Sequence, residues 1–182
     1  PQGRPGCGGI IPSTVSYIDT CCLMTFIWHG DDIRIRKGLG SRKAESMVPR
    51  NHPEFRTPMP AVGEAMCKIM EKNCTAETIE AFLELDRLLR SGFLKTMYLR
   101  PDEQTFRLAG RLMTIRNPDD RETISAMDAF ITASSAVDPE CSTMYTEDQN
   151  LLYNGRLRRE IDEWRSQNGY PNMSVRSLLK SI

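Results

Sequence analysis

Histidine is almost missing from this 182-residue chain, which has only His29 and His52 and no Cys-x-x-Cys pair. That scarcity argues against structural zinc. No apolar run approaches the roughly 20 residues a membrane-spanning helix needs. The Gly/Pro-rich start Pro1–Gly9 lacks the apolar core of a signal peptide. A charge excess is missing as well: 24 basic and 24 acidic residues cancel, so net charge argues neither for nor against a polyanionic partner. Aromatics are 7% of the chain and do not interleave with the basic runs, which leaves a stacking platform for single strands unsupported. The six cysteines are adjacent at Cys21 and Cys22 and scattered at Cys7, Cys67, Cys74 and Cys141, which is no disulfide framework. A reduced cytoplasm is the expected compartment.

What is present is the patterning of an α/β protein. The length suits one domain with a sizeable core. Residues 1–12 read as a flexible lead-in, 13–165 as the domain, and 166–182 as a C-terminal tail with a short amphipathic patch at Val175–Leu179. Thr14–Ile18 predicts a strand and Thr20–Trp28 a helix. Residues 29–57 predict a long polar loop holding Arg34, Arg36, Lys37, Arg42 and Lys43. Those cations suit a phosphate backbone and equally suit a solvated loop. Helices are expected over about 63–72, from Thr75 to Ser91 with Gly92 as the stop, and from Arg100-Pro101-Asp102-Glu103 to about Ile115. Phe93–Leu99 and Cys141–Thr146 read as strands. A late helix carries Leu157, Ile161 and Trp164 on one stripe, available to its own core or to a second subunit. Strands alternating with helices predict a three-layer α/β/α fold with a central parallel sheet.

Four acids stand out. Asp19 ends the first strand, Glu64 opens a helical pattern, Asp128 interrupts an apolar helix, and Asp148 follows a late strand. Each has a plain structural reading. Asp19 suits a helix cap and Glu64 a first turn, where the helix dipole favours acids. Asp148 can begin a turn. Asp128 is harder to place, because a helix apolar all round is buried and an unpaired buried carboxylate costs several kcal/mol. Ligands in open parallel sheets bind outside the carboxyl ends of the strands, where Asp19 and Asp148 stand. Oxygen-only ligands suit Mg²⁺ or Mn²⁺. Thr20, Thr146 and Asn150 lie beside the acids and could orient a carboxylate or a metal-bound water; the threonines equally suit a strand surface. Packing is the expected use of Cys21 and Cys22.

These segments resemble the PIN-domain family in order and spacing. The matching pieces are Tyr17-Ile18-Asp19-Thr20, Pro58–Ala65 with Glu64, Met127–Ala133 with Asp128, and Met144–Asp148. The resemblance spans roughly Ser13 to Leu152. It implies a metal-dependent endoribonuclease with Asp19, Glu64, Asp128 and Asp148 as catalytic and metal-binding acids. It further implies RNA as substrate, a homodimer, and the toxin of a toxin–antitoxin pair held inactive by its antitoxin. Four features depart from the family pattern. Cys21 stands where Asn or Ser usually follows the Asp-Thr pair, the loop between the first two acids is long, a helix follows Asp148 where a final strand often comes, and the C-terminal tail is extra. A non-catalytic PIN-like scaffold binding RNA or protein is the alternative. A phosphoacceptor domain ranks last, since no Lys stands near Cys141–Asp148.

Overall fold

The computed structural model describes residues 15–28, 54–71, 75–97, 102–117 and 122–180. Five strands form one sheet: β1 (Val15–Ile18), β2 (Glu54–Pro58), β3 (Leu94–Met97), β4 (Cys141–Tyr145) and β5 (Ser174–Arg176). Their order is β3-β2-β1-β4-β5, and every pairing is parallel. The helices are α1 (Thr20–Trp28), α2 (Met59–Glu71), α3 (Thr75–Arg90), α4 (Glu103–Leu112), α5 (Ala126–Ala136), α6 (Gln149–Leu152) and α7 (Gly155–Gln167).

The two-residue period of a strand divides the core. Val15 and Tyr17 of β1 join a cluster with Leu108 and Leu112 of α4, Ile131 of α5, and Leu157 and Ile161 of α7. Ile18 faces the opposite way, into a cluster with Leu23 of α1, Ile69 of α2 and Leu85 and Leu88 of α3. Both faces of the sheet are therefore covered, which gives the expected three layers. Gly92 and Gly169, at φ of 73° and 72°, supply the left-handed turns after α3 and α7.

Three boundaries differ from the sequence reading. Residues 54–58, assigned mostly to the polar loop, pair with β1 and β3 as β2. The following helix begins at Met59, since Pro60 is tolerated in a first turn where its missing N–H needs no partner. The expected tail supplies the fifth strand: β5 pairs with β4, and Met173, Val175 and Leu178 are buried. The final strand thus follows α7 rather than Asp148. The Leu157, Ile161 and Trp164 stripe is spent on the chain's own core and offers no dimer surface.

Two polar networks brace the framework. Arg165 is fully buried and donates to the carbonyls of Ala136, Asp138, Cys141 and Pro171, tying the end of α5, the start of β4 and the approach to β5. At the amino ends of the strands, buried Asp138 accepts the Tyr17 hydroxyl and an Arg56 N–H, both at 2.8 Å. Arg56 also pairs with Glu54 at 2.7 Å and Glu140 at 2.8 Å, while Lys95 pairs with Glu54. Burial, reinforced by Asp138, raises the Tyr17 pKa and keeps its hydroxyl protonated.

Candidate functional site

The strand order turns at β1, with β2 and β3 added on one side and β4 and β5 on the other. Such a switch point opens a crevice outside the carboxyl ends of the strands. Asp19 directly follows β1 and is only 5% exposed. Its Oδ1 accepts the backbone N–H of Cys21 at 2.8 Å and of Cys22 at 3.2 Å, so it does cap α1. The Cys21 thiol donates to the same oxygen at 2.8 Å. Burial raises the Asp19 pKa, and hydrogen bonds from Cys21, Thr146 and the Cys22 amide oppose that rise.

Glu64 lies beyond the first turn of α2, so the helix dipole does not account for it. Its Oε2 accepts the Thr20 hydroxyl at 2.7 Å and its Oε1 pairs with the Lys68 ammonium at 2.8 Å. Thr20 thereby connects the first acid's segment to the second acid.

Asp128 has a local structural role that its apolar neighbours conceal. Ser125 caps α5: its Oγ accepts the Asp128 N–H at 3.1 Å and donates to Asp128 Oδ2 at 2.6 Å. One hydroxyl thus both caps the helix and holds the Asp128 carboxylate. The helix is buried largely beyond this turn, whereas Met127 is 41% exposed and Asp128 half-buried. The expectation of a deeply buried, unpartnered Asp128 is therefore corrected. Its pKa is nevertheless raised: burial leads, and the charges of Asp148 and Glu64 add to it against Ser125 and Lys68.

Asp148 caps α6, accepting the backbone N–H of Asn150 at 2.7 Å, and gives its own N–H to the Thr146 hydroxyl at 3.0 Å. Neighbouring Glu147 turns toward the C-terminal segment, where it accepts from the Ser177 hydroxyl and the Leu179 N–H. Asp148 is thus the member of the pair whose charge bears on Asp128.

The sequence reading missed two participants. Cys22 packs in the core as expected, but Cys21 is polar in use: its sulfur also accepts the Glu147 N–H at 3.0 Å and lies 3.4 Å from the Thr146 hydroxyl. The thiol therefore makes contacts that bridge the ends of β1 and β4 from the position where the family has Asn or Ser. Lys68 carried one legible signal, its place four residues after Glu64 on a helix. Arg34, Arg36, Lys37, Arg42 and Lys43 lie outside the described residues.

Among the described residues, one trio of potential ligand atoms lies within 4.8 Å, from Asp19, Cys21 and Cys22. That proximity follows from Asp19 capping the next two residues. Burial drives the Cys22 thiol well above its usual pKa and keeps it protonated, a poor ligand. Asp148 and Glu64 are each close enough to Asp128 for their charges to bear on it, without the three forming so tight a trio. Carboxylate and hydroxyl oxygens are nevertheless the donor set for a hard divalent ion, whose charge would relieve the repulsion at Asp128. The residues fit such an ion.

No family model matches the sequence, and no curated protein matches it. Solved structures do. A chain of VapBC2 from Rickettsia felis, in a complex bound to a DNA fragment from their promoter, aligns with a TM-score of 0.54 at 12% identity. The alignment covers 90% of this chain and 98% of that one. PAE2754 from Pyrobaculum aerophilum aligns with a TM-score of 0.47 at 15% identity, over 85% of this chain and 98% of that one. The likeness to the VapBC2 chain supports a PIN-like fold for the present protein, and at that identity it concerns the fold alone.

Proposed function

We propose that the chain is a metal-dependent endoribonuclease that hydrolyses RNA phosphodiester bonds, with Asp19, Glu64, Asp128 and Asp148 as its acids. One observation carries the reading. Carboxylates from four separate segments lie at or near the carboxyl edge of the sheet, and Asp128 feels both Asp148 and Glu64. Mg²⁺ or Mn²⁺ bound there would polarise the phosphoryl oxygens and lower the pKa of the attacking water. The chain's own residues supply the frame. Two backbone amides and a thiol fix Asp19 Oδ1, Thr20 orients Glu64, and Thr146 reaches both the Asp19 carboxyl and the Asp148 amide. No nucleophilic serine or cysteine is needed.

The physiological extension is the toxin of a toxin–antitoxin pair, acting on RNA in the cytoplasm as a homodimer restrained by an antitoxin. It draws on the VapBC2 complex, which is bound to a DNA fragment from their promoter. No helix among the described residues is long and apolar enough to cross a membrane. The alternative, a non-catalytic scaffold binding RNA or protein, is favoured by the absence of a tight carboxylate trio among the described residues. Incubating the protein with mixed RNA under Mg²⁺, Mn²⁺ or EDTA separates the two. Cleavage that needs the metal and disappears in Asp19→Asn and Asp128→Asn supports the nuclease. Cleavage undiminished by EDTA rules it out, and RNA binding without turnover selects the scaffold.

A further inference from the structure

Three ion pairs between residues four apart on a helix are formed by Lys68–Glu64, Arg90–Asp86 and Arg107–Glu103, and one differs from the rest. Arg90–Asp86 and Arg107–Glu103 are solvated, with side chains 81% and 54%, and 75% and 76%, exposed. Such pairs contribute little and hold nothing in place. Lys68–Glu64 is more enclosed, at 45% and 22%, and its carboxylate is held from both sides: Oε1 by the Lys68 ammonium and Oε2 by the Thr20 hydroxyl. Partial burial disfavours the Lys68 charge, yet Glu64, with Asp128 among the neighbouring groups, more than offsets that. Among the described residues, the lysine is therefore a cation held at the acidic crevice.

An ammonium 2.8 Å from Glu64 Oε1 occupies a lone pair that an oxygen-seeking divalent ion would use. A single and a double positive charge a few ångströms apart repel strongly in a half-buried crevice. We propose that Lys68 is the built-in counter-ion of the site: it holds Glu64 in the position a divalent ion would take, yields that oxygen when the ion enters, and then binds the non-bridging oxygens of the substrate phosphodiester. The four-carbon stem and three rotatable donors of lysine suit such an exchange of partners. Stem flexibility lets the ammonium move without any change in α2. The inference rests on the proposed metal-dependent cleavage, and it makes Lys68 a positioning residue in the free protein and a substrate-binding residue in the complex.

The test reads two kinds of binding that must change in opposite senses, the metal's tighter and the RNA's weaker. Mn²⁺ affinity is measured by titration calorimetry on the full chain without RNA, and the KM for RNA is measured at saturating Mn²⁺. Relative to wild type, Lys68→Gln is expected to bind Mn²⁺ about two- to fivefold more tightly, the scale of a released ion pair. The same variant should show a several-fold higher KM, and Lys68→Arg should return the KM toward wild type. A merely structural lysine would weaken both kinds of binding or leave both unchanged, and either result overturns the proposal while leaving the nuclease reading intact. Failure of wild type to bind Mn²⁺ at all would bring down the metal-dependent reading itself, and this inference with it.

Discussion

Acids at the two ends of the strands are treated in opposite ways. At the amino ends, Asp138, Glu54 and Glu140 are met by Arg56, Lys95 and the Tyr17 hydroxyl, in a network of bonds from 2.5 to 2.8 Å. At the carboxyl ends, Lys68 pairs with Glu64, Asp19 is held by amides, a thiol and a hydroxyl, and Asp128 is pushed by two further carboxylates. Burial acts at both ends, so burial alone does not separate them. Countercharge does. A carboxylate closed off by guanidinium and phenol serves the fold, whereas one kept against like charge is poised for a ligand.

The sharpest way to break this contrast is to neutralise one acid at each end. Loss of a residue that merely supports a metal ligand typically costs 10- to 100-fold in activity or metal affinity, so loss of a ligand should exceed that. Asp128→Asn is expected to reduce RNA cleavage by about a hundredfold or more, with a circular-dichroism spectrum like that of wild type. Asp138→Asn, at the other end, should retain the wild-type rate in its folded fraction. Equal losses in the two variants would dissolve the distinction.

Stability should show the reverse. Leaving a buried polar group without its partner costs about 1 to 3 kcal/mol. Asp138→Ala orphans the Tyr17 hydroxyl and takes one of three carboxylates from Arg56, which keeps Glu54 and Glu140, so urea denaturation should report a loss of that order. Asp128→Ala removes the acceptor of the Ser125 hydroxyl but also a repelled charge, and the two effects oppose each other. Its change should stay within about 1 kcal/mol.

Ligand linkage gives the third contrast. An ion that binds only the folded state stabilises it by about 2.7 kcal/mol when present at a hundred times its dissociation constant. Mn²⁺ should therefore raise the melting temperature of wild type and of a folded Asp138 variant, and leave Asp128→Asn nearly unmoved. A Mn²⁺ shift that survives in Asp128→Asn would place the ion elsewhere.

The sequence made one end of this comparison legible and hid the other. Asp19 is readable because a β-prone run stops at it and a helix begins at about Thr20, where the structure has one over Thr20–Trp28. Asp148 was readable in the same way. The amino-end network was not, because Tyr17, Arg56 and Asp138 are 39 and 82 residues apart and no local pattern announces a pairing across strands. Asp128 was noticed for a mistaken reason: Ser125 sits three residues earlier as its capping partner, and a first turn lies nearer the surface than the apolar stretch suggests. β5 was lost because three residues give too little alternation to distinguish a strand from a tail. Arg165 is the extreme case, since arginine is almost never fully buried and its four carbonyl acceptors come from distant segments.

The smallest expected effect concerns pH, and it again separates the two ends. Asp128 has a raised pKa in the folded protein, chiefly from burial and then from Asp148 and Glu64. The metal-free folded state therefore holds its proton more tightly than the unfolded chain does. That contribution to stability is fully present below the unfolded value of about 3.9 and is lost as pH rises through the raised folded value. Metal-free wild type should therefore lose stability from this source as pH rises across that window. Asp128→Asn should flatten that part of the profile, because no proton remains to be released. Mn²⁺ should act on wild type in the same sense, since a bound cation removes the penalty on the ionised carboxylate. Urea titrations at a series of pH values test the point: an Asp128→Asn profile as steep as the wild type's would assign the slope to another group and remove the repulsion on which the carboxyl-end reading depends.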